Sequence, residues 1–142
     1  YGPYQVPGRR HHGILNRFAI SALGGEAIPL FGGGAQLRDY VHVADVARAL
    51  VLAATDPRAS AEVFNVGAGR SVSIREAAEK IVTFAGAGSV VEVDWPSGAL
   101  SVETGDFRCD TSRIAARLGW RAEIDLDAGL VATVEKYRRL LE

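Results

Sequence analysis

The chain has 142 residues, 48% of them hydrophobic, with 16 basic and 17 acidic residues and a formal net charge of −1. That length suits one core of ordinary size and is short for two well-developed domains, and the charge balance leaves no electrostatic footprint for nucleic acid. A single cysteine, Cys109, excludes an internal disulfide and fits a reducing compartment; no apolar run approaches the ~20 residues that span a bilayer and no signal sequence is visible, so a cytoplasmic origin is expected.

In chain order, the first feature is a basic cluster, Arg9, Arg10, His11 and His12, readable as a solvated loop or as a phosphate-facing patch. Residues 13–23 then place Ile14, Leu15, Phe18, Ala22 and Leu23 at helical spacing, with Gly24 and Gly25 as the stop. Residues 27–31 read as a short apolar strand, 32–34 as a glycine turn and 36–41 as a second extended segment. From 43 to 54 the 3.6-residue period returns in Val43, Val46, Ala47, Leu50, Val51 and Ala54, ending before the Asp56-Pro57 breaker.

Residues 62–66, with their Val-Phe-Asn-Val centre, suggest a strand buried on both faces, in which Asn65 would be a satisfied structural amide. Ser73 and Glu76 form a capping box that opens a helix over 74–84, and the β-branched run 89–93 predicts another strand. A loop beginning Trp95-Pro96-Ser97-Gly98 runs to about Arg108. Asp110 is placed to cap a short helix that reaches Leu118 and stops at Gly119, and Asp125 to cap a last helix with Leu126, Leu130, Val134, Tyr137 and Leu141 on one face. Strands alternating with helices indicate an α/β class; no repeat, low-complexity run or dividing linker interrupts it.

One stretch stands out, LFGGGAQLRDYVHVADVARAL from Leu30 to Leu50. Around a glycine turn it sets a flat apolar ring, Phe31, and a planar cationic fork, Arg38, the pair of surfaces that a nucleotide's base and phosphates need. Together with YGPYQ at Tyr1, GILNRF at Gly13, VFNVG at Val63, GDF at Gly105 and LGW at Leu118, it resembles the substrate-binding C-terminal portion of the NAD-dependent nucleotide-sugar epimerase/dehydratase family, the extended short-chain dehydrogenases. The resemblance implies a small substrate-binding α/β domain, with residues of about 43–67 packing on a Rossmann half upstream.

By the same resemblance the partner is a nucleotide-diphosphate sugar, and NAD serves the full-length enzyme, bound mainly by that upstream half. There a tyrosine paired with a lysine removes a sugar hydroxyl proton while hydride passes to NAD, giving a ketosugar that is epimerised or dehydrated. The first motif is shared by dehydratases and epimerases, whereas residues 13–18 and 102–110 look more like epimerases, which we favour; a 4,6-dehydratase portion or a non-catalytic nucleotide-sugar-binding module are the alternatives. Tyr1, Tyr4, Tyr40 and Tyr137 are followed four residues later by Gln5, Gly8, Ala44 and Leu141, never by lysine, so the isolated chain is expected not to turn over. The absence of methionine and a start inside a family motif lead us to expect a natural start upstream, and an uncovered 43–67 face that drives oligomerisation or domain swapping.

The resemblance assigns Arg38 to the diphosphate, where the alternative is a surface ion pair with Asp39 or another carboxylate; Phe31 to the base, where the alternative is core; Leu30 to backbone contacts with the base; and Asp106 to the ribose hydroxyls, where the alternative is a loop cap. Glu103 departs from the family, many of whose members carry arginine three residues before this aspartate, a departure expected to weaken diphosphate binding or shift it to Arg70 or Arg108. Gly67-Ala68-Gly69 invites a dinucleotide-loop reading, but Val72 stands where the third glycine belongs; Gly32-Gly33-Gly34 joins two extended segments and aims no helix at a phosphate. His11, His12 and His42 lack metal-site spacing, and no nucleophile elbow supports a hydrolase.

Overall fold

The computed structural model describes residues 1–5, 13–98 and 103–142, so the Arg9 to His12 cluster lies outside the described residues. Helix α1 (Ile14–Leu23) buries Leu15, Phe18 and Ala22, as its spacing predicts, together with Asn16 and Ala19, but leaves Ile14 exposed and Leu23 half-buried; it ends on Gly24. Strand β1 (Ala27–Phe31) alternates strictly, Ile28 and Leu30 pointing into the core and Ala27, Pro29 and Phe31 outward. A tight 3₁₀ turn over Gly32–Gly34 leads to β2 (Leu37–Asp39), the regular part of the extended segment.

Helix α2 (Val43–Thr55) starts where His42 Nδ1 accepts the Ala44 N–H, a cap the sequence reading missed. After β3 (Ser71–Ser73), Ser73 Oγ accepts the Glu76 N–H at 3.0 Å and opens α3 (Ile74–Ala85), which stops at a left-handed Gly86. Strand β4 (Ser89–Val93) follows, then α4 (Ser112–Leu118), closed by a left-handed Gly119, and α5 (Leu126–Leu141), whose first turn Asp125 caps. Asp110 is not the N-cap residue of α4; Thr111 is, while the Asp110 carboxylate accepts the Ser112 N–H at 2.9 Å.

Strands β1 and β4 pair in parallel, Ala27 opposite Ser89 through Phe31 opposite Val93, and β2 and β3 pair antiparallel with Arg38 opposite Val72. Parallel strands need a long crossover, which β2, α2, β3 and α3 supply. Helices α1, α3 and α5 pack on one another beside this crossover, and their inner faces join Ile28 and Leu30 in the main core. At its centre the Tyr137 hydroxyl accepts from Asn16 Nδ2 at 2.6 Å and donates to the Gln5 carbonyl at 3.0 Å, so the buried phenol is satisfied, while Asn16 Oδ1 has no partner among the described residues. Gly88, at φ +82°, lies so close to α1 that a Cβ there would meet Ala22 Cα at 2.8 Å. The turn from α3 into β4 therefore requires glycine where it passes the end of α1.

A smaller cluster gathers Ala49 of α2, Ile114 and Leu118 of α4, and Trp120. Asp45 ties α2 to the segment before α5: its carboxylate, fully buried, accepts from Arg48 at 2.5 Å and from the Glu123 and Ile124 amides at 3.3 and 3.1 Å.

Two expectations need correction here. Residues 62–66 form no strand: Val63 is 77% exposed, Asn65 is exposed with its Nδ2 reaching the Asp110 carbonyl, and no described strand lies alongside. Strand propensity measures fit to a pleated, half-buried surface, and without a neighbouring ladder that preference has nothing to act on. Leu141, 52% exposed, does not share the buried face of Leu126, Leu130, Val134 and Tyr137, because it sits in the last turn, beyond the helices that cover them.

Candidate functional site

At the C-terminal end of β1 the chain must reverse into β2 within a few residues, and three glycines at φ of 56°, 76° and 71° do this. A side chain at Gly32 would run into the Trp95 indole, so the turn's lack of Cβ atoms lets Trp95, on the loop after β4, lie against Phe31. The two rings are 5.6 Å apart between centroids and tilted by 30°. Phe31 remains 39% exposed.

These rings border a cavity of about 480 Å³ closed by Ile14 and Arg17 of α1 on one side and by Arg38 of β2 with Glu103 on another. Leu30 lines its wall, but its side chain is 2% exposed and belongs to the core. Gln36 Oε1 and the Tyr40 hydroxyl are buried without a partner among the described residues, and both residues line the cavity. Burial, partly opposed by the nearby Arg38 charge, pushes the Tyr40 phenol up to about 12, so it stands protonated and able to donate.

The guanidinium of Arg38 is fixed from behind. Its Nη1 donates to the Leu37 and Gly105 carbonyls at 2.9 and 2.6 Å, and its Nη2 to Glu103 Oε1 at 2.5 Å. The Nε–H and one Nη2–H have no protein acceptor among the described residues. The ion pair is therefore with Glu103 and not with the adjacent Asp39, because consecutive strand residues point to opposite faces. Asp39 instead accepts the Ala68 and Gly69 amides at 2.6 and 2.9 Å.

That carboxylate occupies the amides a phosphate would need in the Gly67-Ala68-Gly69 turn. The turn also leads into β3 and not directly into a helix. At the other glycine turn, a Cβ on Gly33 would meet the Glu92 carboxylate at 3.2 Å, an acidic neighbour unsuited to phosphate. Neither turn fits the pyrophosphate of a dinucleotide.

The candidate residues are thus only partly brought together. Leu30, Phe31 and Arg38 share the cavity; Asp106 does not line it. Asp106 Oδ1 accepts the Leu37 N–H at 2.8 Å, and the Phe107 N–H donates to the Leu37 carbonyl at 3.0 Å, so the 103–107 segment is stitched along the edge of β2. Of the arginines suggested as substitutes, Arg70 pairs with Asp125 at 2.6 Å and Arg108 borders a different cavity with Cys109; neither reaches this one. Trp95, Arg17, Gln36 and Tyr40 are the additions that sequence reasoning missed. A lone tryptophan before proline carries no spacing signal, and Arg17 is the outward residue of a helical motif otherwise read for its apolar face.

No helix among the described residues is long and apolar enough to cross a membrane, and no described group of His, Cys, Asp and Glu is placed to hold a metal ion. Residues 1–67 match the model of the NAD dependent epimerase/dehydratase family. Over 140 residues the chain is 34% identical to a dTDP-glucose 4,6-dehydratase of Streptomyces niveus, covering 97% of this chain and 39% of that protein. Against a UDP-glucose 4-epimerase of Mycolicibacterium smegmatis the identity is 36%, over 97% of this chain and 42% of the relative. A crystal structure of UDP-glucose 4-epimerase with UDP-glucose from Thermotoga maritima superimposes on all of this chain and 44% of its own, with a TM-score of 0.87 and 33% identity. The chain thus spans about two fifths of the curated relatives it matches.

Proposed function

Starting from its membership of the NAD dependent epimerase/dehydratase family, with which it shares sequence and an α/β fold, we propose that this chain is the nucleotide-sugar-binding C-terminal portion of a sugar epimerase of the UDP-glucose 4-epimerase kind. The observation that carries the reading is the cavity between the Phe31–Trp95 ring pair and the Arg38 guanidinium. A base lies against the rings, and the diphosphate takes the two N–H donors of Arg38 that have no protein acceptor. The Tyr40 hydroxyl and Gln36 carbonyl oxygen, both unpartnered, supply a donor and an acceptor for hydroxyl groups. Asp106 keeps one carboxylate oxygen for a ribose if the 103–107 segment shifts on binding.

Catalysis draws on this portion for orientation. Binding energy from the non-reacting nucleotide holds the sugar in one pose and is realised as rate. The nicotinamide cofactor of the full-length enzyme belongs to segments outside these residues, since neither glycine turn here suits its phosphates. With no tyrosine followed by lysine four residues on, the 142-residue chain alone carries no base for the reaction. The α2 face over residues 43–67 packs on that cofactor half, and in the isolated chain it drives self-association. The identities of 36% to an epimerase and 34% to a dehydratase support either chemistry; the fold match to the Thermotoga maritima enzyme favours the first.

Titration calorimetry of the full-length protein with UDP-glucose and dTDP-glucose tests the reading. Arg38→Gln should weaken whichever ligand binds by about 10- to 100-fold, the loss expected for charge-assisted hydrogen bonds. Wild-type affinity in that variant would refute it.

A further inference from the structure

The charged residues lining the cleft are Arg17, Arg38, Asp39 and Glu103. Asp39 is committed to the Ala68 and Gly69 amides. Arg38 is already paired: Glu103 Oε1 sits 2.5 Å from its Nη2, and the two side chains are 24% and 18% exposed, dry enough for their attraction to exceed that of a surface pair. The same Glu103 oxygen accepts the Gly105 N–H at 3.0 Å, and Gly105 in turn gives its carbonyl to Arg38 Nη1. The carboxylate is thus built into the segment that grips the guanidinium. Arg17, exposed on α1, has no side-chain partner among the described residues. The cation best placed for an anion is neutralised from within, and the uncommitted one stands on another element.

We propose that Glu103 is a specificity-determining residue of this cleft: it competes with ligand phosphate oxygens for Arg38, so the cleft disfavours a free nucleoside diphosphate relative to the same diphosphate esterified to a sugar, with Arg17 supplying the uncommitted positive charge. The terminal phosphate of a nucleoside diphosphate keeps an ionisable oxygen that the sugar ester removes. It carries more negative charge at neutral pH, and repulsion from a fixed carboxylate falls harder on it. This rests on the nucleotide-sugar reading above.

The test is calorimetric titration of the full-length protein and its E103Q, E103D and R17Q variants with UDP and UDP-glucose, and with dTDP and dTDP-glucose. E103Q keeps an acceptor for the Gly105 N–H and loses only the charge. It should bind the free diphosphate about tenfold more tightly and the sugar ester about threefold more tightly, so that discrimination shrinks. E103D should keep the wild-type ratio, and R17Q should weaken both ligands. If wild type binds and E103Q leaves the ratio unchanged, or E103D loses discrimination as E103Q does, the Glu103 assignment fails while the nucleotide-sugar reading stands. If the wild type and all variants bind none of the four ligands, that underlying reading fails and takes the assignment with it.

Discussion

Around Tyr137, helices α1, α3 and α5 close with β1 until Ala22, Ile28, Ala77, Ile81 and Tyr137 are fully buried, whereas around Ala49 helix α2 buries one edge and leaves Leu50 66% and Val51 64% exposed. Both helices α2 and α3 carry apolar residues at the same period, so periodicity does not distinguish them. The difference lies in neighbours: α3 has elements on its apolar side, and among the described residues α2 has, on part of its own, the small cluster of Ile114, Leu118 and Trp120 with Ala59, Phe64 and Val66 against it. An apolar stripe states that a helix will be covered and does not say by what.

The contrast can be broken first at the main core. Ile81→Ala removes a fully buried side chain from a packed helix face and should cost about 3 to 4 kcal/mol, the range for cavity-forming truncations. Urea unfolding of the variant measures it; a loss below about 1 kcal/mol would mean that this core is as loosely covered as α2.

Next is the tie between the two regions. Asp45→Asn leaves an amide unable to accept from Arg48 and both backbone amides together, and should cost about 2 kcal/mol. Burial raises the Asp45 carboxyl, but the Arg48 hydrogen bond and the Ile124 and Glu123 amides outweigh it and hold the group below its ordinary 3.8. A carboxyl lowered by folding contributes stability that is complete above the unfolded value and fades as pH falls through the folded one. The gap between wild type and Asp45→Asn should therefore stay constant from neutral pH down to about 4 and narrow in more acid solution. A gap that widens in acid would reverse the assignment.

The smallest effect on stability belongs to the outer face of α2. Leu50→Lys combined with Val51→Lys should change unfolding free energy by no more than about 0.5 kcal/mol, yet reduce self-association of the 142-residue chain in light scattering. A wild-type chain that is strictly monomeric would remove the basis for reading α2 as a docking face.

Much of the fold was legible where local chemistry decides the outcome. The bounds of α1, α2, α3 and α5 follow the apolar period, and Gly119, free to turn left-handed, ends one helix while the Asp125 carboxylate begins another. Residues 62–66 misled because strand character there depends on a neighbour that no local signal reports. In the site, Phe31 and Arg38 could be found because they flank one turn, and Glu103 was conspicuous by its sign. That Glu103 pairs with Arg38, that Trp95 lies on Phe31 and that Asp39 fills the glycine loop are contacts between distant segments. Such contacts are set by the crossing of β1 with β4 and of β2 with β3, which no spacing rule encodes.

The parallel pairing of β1 with β4 also orders events during synthesis. When the ribosome has finished Phe31, the only described strand able to bond to that edge is still about 60 residues from being made. Ile28 and Leu30 cannot gain this partner strand until Val93 has emerged, and a chaperone holding the nascent β1 edge would guard the stage most exposed to mispairing.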